Sequence, residues 1–160
     1  MRKIIILFLL IFIGIPAHAG NFEYRYGRCK YVYHPHSESS YQHAYCSMNA
    51  GIEEYELPSR ARVDCYIPNK YVCELDFANK IYEMFGQLAW YSLETGLKGK
   101  GVIILDKKYE KKQMYYVEKA RKMAEAYGFE IEVITDDILN LDENGKCPYK
   151  DCKCNKNKGD

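Results

Sequence analysis

Residues 62–91, RVDCYIPNKYVCELDFANKIYEMFGQLAWY, limit the folds open to this chain more than any other stretch, because two short strands run straight into one long helix. The strands are predicted to form a hairpin that turns at Pro68 and Asn69. The register that sets apolar opposite apolar pairs Val63 with Leu75, Cys65 with Cys73 and Ile67 with Tyr71 on one face. On the other face it pairs Arg62 with Asp76, Asp64 with Glu74 and Tyr66 with Val72. A slip of one residue would mix the two faces, so this register is favoured. Opposed carboxylates repel, at a cost of about a few tenths to 1 kcal/mol. A divalent cation is a candidate to offset that cost, since hard cations such as Mg2+ are held by one or two carboxylates together with water and phosphate oxygens.

The chain opens with MRKIIILFLLIFIGIPAHA, a basic start, an apolar run and a small-x-small ending at Ala17-His18-Ala19. That is the plan of a cleavable secretory leader over residues 1–19, and the run is short for a membrane span. The mature chain is then expected to begin at Gly20 and to be secreted or periplasmic, without stable membrane insertion; an uncleaved N-terminal anchor is the other reading. Without Arg2 and Lys3, the 23 basic residues become 21 against 22 acidic ones, a net charge of −1. Global charge therefore does not announce a nucleic-acid binder, and any such surface has to be a local patch. The 16 tyrosines suit a strand-containing secreted domain and also supply stacking groups for bases.

All seven cysteines, Cys29, Cys46, Cys65, Cys73, Cys147, Cys152 and Cys154, fall after the leader. In an oxidising compartment their default reading is disulfides, and the odd number leaves one thiol free or paired with another molecule. Cys65 and Cys73 face each other in the register above, which allows a strained cross-strand bridge; pairing of Cys46 with either is equally open.

Residues 20–36 read as a tyrosine-rich irregular segment ending in His34-Pro35-His36, a polar loop or, less simply, a pair of metal ligands. Ser37 can cap a first helix with Glu38 in its first turn, and Asn49-Ala50-Gly51 ends it, with glycine permitting a left-handed exit. Strands follow at 53–57, 60–66 and 71–76. A long helix is predicted over 77–94, closed by Thr95-Gly96. Its apolar stripe includes Phe77, Ile81, Met84, Phe85 and Leu88, and a second, polar face carries Lys80, Gln87 and Tyr91. GVIIL at 101–105 reads as a strand buried on both sides, 109–127 as a helix, and FEIEVIT at 129–135 as a strand nearer an edge. Residues 136–160 read as a polar, cysteine- and lysine-rich tail. The expected fold class is α/β, an αβββαβαβ core whose mixed central sheet is flanked by helices.

That order of elements, with Asp64 on the second strand, Glu74 on the third and GQLAWY on the following helix, resembles the PD-(D/E)xK nuclease superfamily and its restriction-endonuclease-like fold. The likeness is nearest to the branch of Holliday junction resolvases and RecB-type nucleases, whose helix carries Q-x-x-x-Y, here Gln87 to Tyr91. It spans 37–135. The chain also resembles a set of small bacterial proteins with a KIYEMFGQ-like helix followed by a TGLKGKGVIIL-like strand. The superfamily resemblance implies a metal-dependent nuclease that binds Mg2+ or Mn2+ through Asp64 and Glu74, with Glu38 as the first-helix acid and Asp76 as an extra ligand. Where the family places lysine, two residues after the glutamate, this chain has Asp76. Lys80, one helical turn on, is expected to take over as the third catalytic group beside Asp64 and Glu74, with Asp76 able to hold it through an i, i+4 ion pair. Gln87, Tyr91 and Arg62, with Arg60, are the expected contacts to the phosphate backbone.

The expected partner is nucleic acid, DNA foremost, and a homodimer is left open. The rival reading is a catalytically inactive, disulfide-stabilised extracytoplasmic binding or structural protein on the same fold, in which Lys80 faces open solvent. A third reading is a zinc protein that uses the tail cysteines.

Overall fold

The hairpin turn forms where proline and asparagine stand: Asn69 is left-handed at φ +59°, and the Lys70 N–H donates to the Ile67 carbonyl at 3.0 Å. The structure is a computed structural model that describes residues 34–106 and 110–155. The expected leader at 1–19, Cys29 and the irregular segment as far as residue 33 lie outside the described residues. Among the described residues no helix is long and apolar enough to cross a membrane.

The elements are α1 (Glu38–Met48), β1 (Ile52–Glu56), β2 (Arg62–Ile67), β3 (Tyr71–Phe77), a 3-10 turn (Ala78–Lys80), α2 (Ile81–Thr95), β4 (Lys98–Ile104), α3 (Glu110–Tyr127) and β5 (Glu130–Ile134). They make the expected α/β fold, a five-stranded mixed sheet in the order β1-β2-β3-β4-β5. The first three strands form an antiparallel meander, while β3, β4 and β5 run parallel and so need the intervening helices as crossovers. β5 lies at an edge, as its outward glutamates suggested.

Two apolar layers sandwich the sheet. Tyr41, Ala44 and Tyr45 of α1 pack on Cys73, Leu75, Val102 and Ile104. On the opposite face Ile81, Met84, Phe85 and Leu88 of α2 meet Ile103 and Leu105, with Val117 and Ala120 of α3. Successive residues of β4 thus go to alternate layers, which is why GVIIL is apolar throughout. β4 begins at Lys98, earlier than the apolar run predicts. Its leading glycines are there for closeness: a Cβ on Gly99 would stand 2.9 Å from the Phe129 ring, and one on Gly101 would stand 2.8 Å from Met84 Cε.

Cys65↔Cys73, Tyr66↔Val72 and Ile67↔Tyr71 pair in the expected register. Beyond them the two strands part. Residues 62 and 63 of β2 stay paired only with β1, and residues 74–77 of β3 only with β4. The sheet is forked, and the expected pairs Val63/Leu75, Asp64/Glu74 and Arg62/Asp76 do not form as ladder rungs. Val63 turns instead to a small cluster with Leu57, Val72 and Tyr91, whereas Leu75 stays in the α1 layer. The cause is local: Asp64 Oδ2 accepts the Leu75 N–H at 2.8 Å, so a side chain takes the place of a rung.

Other departures are small. Ser37 precedes α1 without capping it through its side chain; its hydroxyl lies 3.0 Å from that of Ser40. The long helix opens with the 3-10 turn rather than at Phe77, and it ends as expected at Gly96, left-handed at φ +70°. At the end of α1 the left-handed residue is Ala50 at φ +50°, not Gly51. Gly51 answers to a different need, because a Cβ there would collide with both sulfurs of a disulfide, Cys46–Cys65. Of the open pairings, then, Cys46 joins Cys65 across 19 residues, and Cys73 is left a buried free thiol.

The residues after β5 fold back onto the α1 layer: Leu139 is fully buried there, together with Cys147 and Cys152. Closing the 19-residue loop between Cys46 and Cys65 with the disulfide should add about 3 kcal/mol of stability. Replacing Cys46 and Cys65 together by alanine is expected to lose about that amount in denaturant unfolding. Gly51→Ala should destabilise the bridged protein by more than about 1 kcal/mol and the bridge-free double variant by much less. Equal costs in the two backgrounds would show that the disulfide is not what excludes a side chain at position 51.

Candidate active site

The fork between β2 and β3 holds the charged groups that the sequence singled out. Asp64 comes from one prong, Glu74 and Asp76 from the other, Glu38 from the first turn of α1, and Lys80 from the turn that leads into α2. The Lys80 ammonium lies 2.9 Å from Glu38 Oε2 and 3.0 Å from Asp76 Oδ1, so the i, i+4 pair is present and a third element joins it. The Lys80 ammonium is therefore engaged by two carboxylates, while its side chain remains 40 % exposed. Arg62 does not pair with Asp76. It is largely exposed, and its nearest carboxylate is Glu54, at 3.8 Å.

Burial is what makes this cluster unlike an ordinary polar surface. Glu74 and Asp76 are each only 4 % exposed. Among the described residues, Glu74 Oε2 is a buried oxygen with no hydrogen-bond partner, a costly state for a group that is charged at neutral pH in water. Burial pushes the Asp64 and Asp76 carboxyls up to about 7, helped in both by the negative charge of Glu38. The Leu75 N–H bond opposes the rise at Asp64, as the Lys80 ammonium does at Asp76. Glu74 is raised further, first by burial and then by the charges of Asp64 and Asp76. Burial alone would lower Lys80, but its bonds to Glu38 and Asp76 outweigh it and hold the ammonium above its ordinary value.

The Q-x-x-x-Y residues sit beside this cluster in different states. Gln87 is half-buried and points Nε2 at the Tyr91 hydroxyl, 3.5 Å away. Tyr91 is buried in the cluster around Val63, and its hydroxyl donates to the Arg62 carbonyl at 2.7 Å. That bond ties α2 to β2 at the fork; the hydroxyl points inward and supports the site from behind. Its pKa is pushed up to about 12 by burial and by the nearby Glu74 charge.

Two participants escaped the sequence reading. Gln42 is buried and donates to Glu54 Oε1 at 2.6 Å and to the Asp64 carbonyl at 3.1 Å, linking α1 to β1 and β2. Its place four residues after Glu38 on one helix is a signal that could have found it. Glu54 stands in a left-handed conformation, φ +49°, that non-glycine residues rarely adopt, and no pattern in the sequence announces this. Its charge bears on both Asp64 and Glu74.

The donor set is all oxygen, which suits a hard cation, and the partnerless Glu74 oxygen is a natural ligand atom. The carboxylates are not drawn into a closed cage, however. Among the described residues, the ligand-type side chains whose donor atoms all lie within 4.8 Å of one another are His36 and three cysteines of the C-terminal segment. No family model matches the chain, and no curated protein and no solved structure matches it.

Raised carboxyl pKa values make folding take up protons. Below pH about 4 the acids are protonated in both states and impose no penalty. As pH rises through about 7 the unfolded chain releases these protons first, so the folded state loses stability. In EDTA the melting temperature is therefore expected to fall across this window. Asp64→Asn keeps an oxygen for the Leu75 N–H and should flatten the fall, gaining about 1 kcal/mol or more at neutral pH. A parallel pH profile in the variant would remove Asp64 as an acid whose proton affinity the fold raises.

Proposed function

We propose that this chain is a metal-dependent hydrolase of phosphodiester bonds in nucleic acid, DNA foremost, acting in a secreted or periplasmic setting. The observation that carries the reading is Glu74: a buried carboxylate, one oxygen without a partner, set among like charges with a single lysine beside them. Repulsion of this kind is a standing demand for positive charge. Asp64 and Glu74, with Asp76 and Glu38 around them, would hold Mg2+ or Mn2+, which when bound supplies Lewis-acid polarisation of a phosphoryl oxygen and a water acidic enough to attack it. Lys80, kept fully protonated by Glu38 and Asp76, would stabilise the charge that builds on the phosphate. Gln87 and the exposed Arg62 are available to orient the substrate backbone, while Tyr91 fixes α2 against β2. The likeness to PD-(D/E)xK nucleases rests on the same residues, and the Cys46–Cys65 bridge favours an oxidising compartment.

A second reading, an inactive, disulfide-stabilised binding or structural protein on this fold, is favoured by one observation. Lys80 already pairs with both Glu38 and Asp76, so part of the carboxylate charge is offset within the chain itself.

Incubation of the purified protein with supercoiled plasmid and single-stranded DNA, in Mg2+, Mn2+ or EDTA, separates the two. Nicking is expected with either metal and not in EDTA. Asp64→Asn and Glu74→Gln should each reduce it by about 100-fold or more while melting no lower than the native protein. Equal cutting by native and variant proteins, or no cutting of either substrate, would favour the binding protein.

A further inference from the structure

We propose that His36, Cys147, Cys152 and Cys154 bind one zinc ion that pins the C-terminal segment to the entry of α1, a site separate from the carboxylate cluster and independent of the hydrolase reading. The four side chains offer one imidazole nitrogen and three sulfurs, all within 4.8 Å of one another. Cys147 Sγ lies 3.5 Å from Cys154 Sγ, and Cys152 Sγ lies 3.7 Å from His36 Nδ1. A tetrahedron with Zn–S bonds of about 2.3 Å and a Zn–N bond of about 2.0–2.1 Å sets its corners about 3.5–3.8 Å apart, so these separations already match the edges of a zinc site. His36, Cys147 and Cys152 are buried, which is the setting of a closed structural centre rather than a solvent-open catalytic one.

The surroundings favour thiolates. The Ser37 N–H points at Cys152 Sγ and the Cys147 N–H at Cys154 Sγ, each at 3.4 Å, as outer-shell donors do around metal-bound sulfur. Asn155 Nδ2 donates to the carbonyls of Cys147 and Tyr149, at 2.7 and 2.8 Å, and so holds the Cys147-x4-Cys152-x-Cys154 loop in its turn. Three cysteines cannot all pair with one another, whereas three thiolates and an imidazole fill a tetrahedron. Binding would release the three thiol protons and leave one net negative charge, beside Lys146, Lys150 and Lys153 in the same stretch. Between the 3-10 turn at Asp136–Leu139 and residue 155, the only further regular element is the 3-10 turn Lys153–Asn155, so a metal gives this polar segment the anchor that hydrogen-bonded structure does not. The two histidines of His34-Pro35-His36 then have different tasks: His34 stacks on Phe77 at 3.6 Å, and His36 turns to the sulfurs.

The test uses the untagged full chain, purified without chelator. Elemental analysis is expected to find one zinc per chain, and a thiol-specific mercurial should release it to a chromophoric chelator with no variant needed. Cobalt substitution should give sulfur-to-metal charge-transfer bands and the visible spectrum of a tetrahedral centre. Cys152→Ser is expected to drop the metal content to less than about a tenth of an ion, while Glu74→Gln keeps it whole. The reverse pattern, zinc retained in Cys152→Ser and lost in Glu74→Gln, would move the ion to the carboxylates and overturn the proposal. So would purified native protein without zinc, cobalt spectra lacking thiolate bands, or a disulfide among these cysteines in non-reducing peptide mapping. None of these readouts depends on whether DNA is cut.

Discussion

Asp64 bonds sideways to the Leu75 N–H, and the geometry of the molecule's charged centre follows from that substitution of a side chain for a ladder partner. With the rung gone, β2 remains attached to β1 and β3 to β4, and a wedge opens between them. Asp64 is held on one side of the wedge, and Glu74 and Asp76 on the other. α1 and the entry to α2 bring Glu38 and Lys80 to its mouth. Tyr91 ties α2 to β2 behind these groups by donating to the Arg62 carbonyl. A sheet with an unbroken ladder would set Asp64 and Glu74 side by side in regular pairing.

Much of this was legible because local chemistry and tertiary packing agree. The turn at Pro68-Asn69, the rungs from Cys65 to Tyr71, the two-sided burial of GVIIL and the Gly96 helix stop all follow from patterns that packing has no reason to override. The fork was not legible, since nothing in an alternating pattern says that a carboxylate will displace a backbone partner. Nor was the purpose of Gly51, which lies in a contact with two sulfurs that are distant in sequence. Of the residues singled out through the family resemblance, Glu38 and Asp76 both pair with Lys80, and Asp64 lies near enough for its charge to bear on Glu74. Glu54 did not show itself, because its contribution depends on one left-handed residue.

The molecule keeps two ligand chemistries apart. Hard oxygens collect in the fork, where burial and mutual repulsion raise their proton affinity. Soft sulfurs and an imidazole collect where the last described residues meet the start of α1. A single residue, Ser37, separates His36 from Glu38, so the same turn of chain contributes a side chain to each group. The disulfide, on the α1 face as well, fixes the far end of that helix to β2.

β1 closes one side of the sheet, with a sequence, Ile-Glu-Glu-Tyr-Glu, that puts three acids on five positions and a left-handed residue in the middle. A second chain laid along this margin would find its hydrogen-bonding direction interrupted at Glu54 and like charges on either side. The same twist that turns Glu54 toward Gln42 therefore makes the β1 margin a poor template for pairing with another chain, the contact through which exposed strands commonly aggregate.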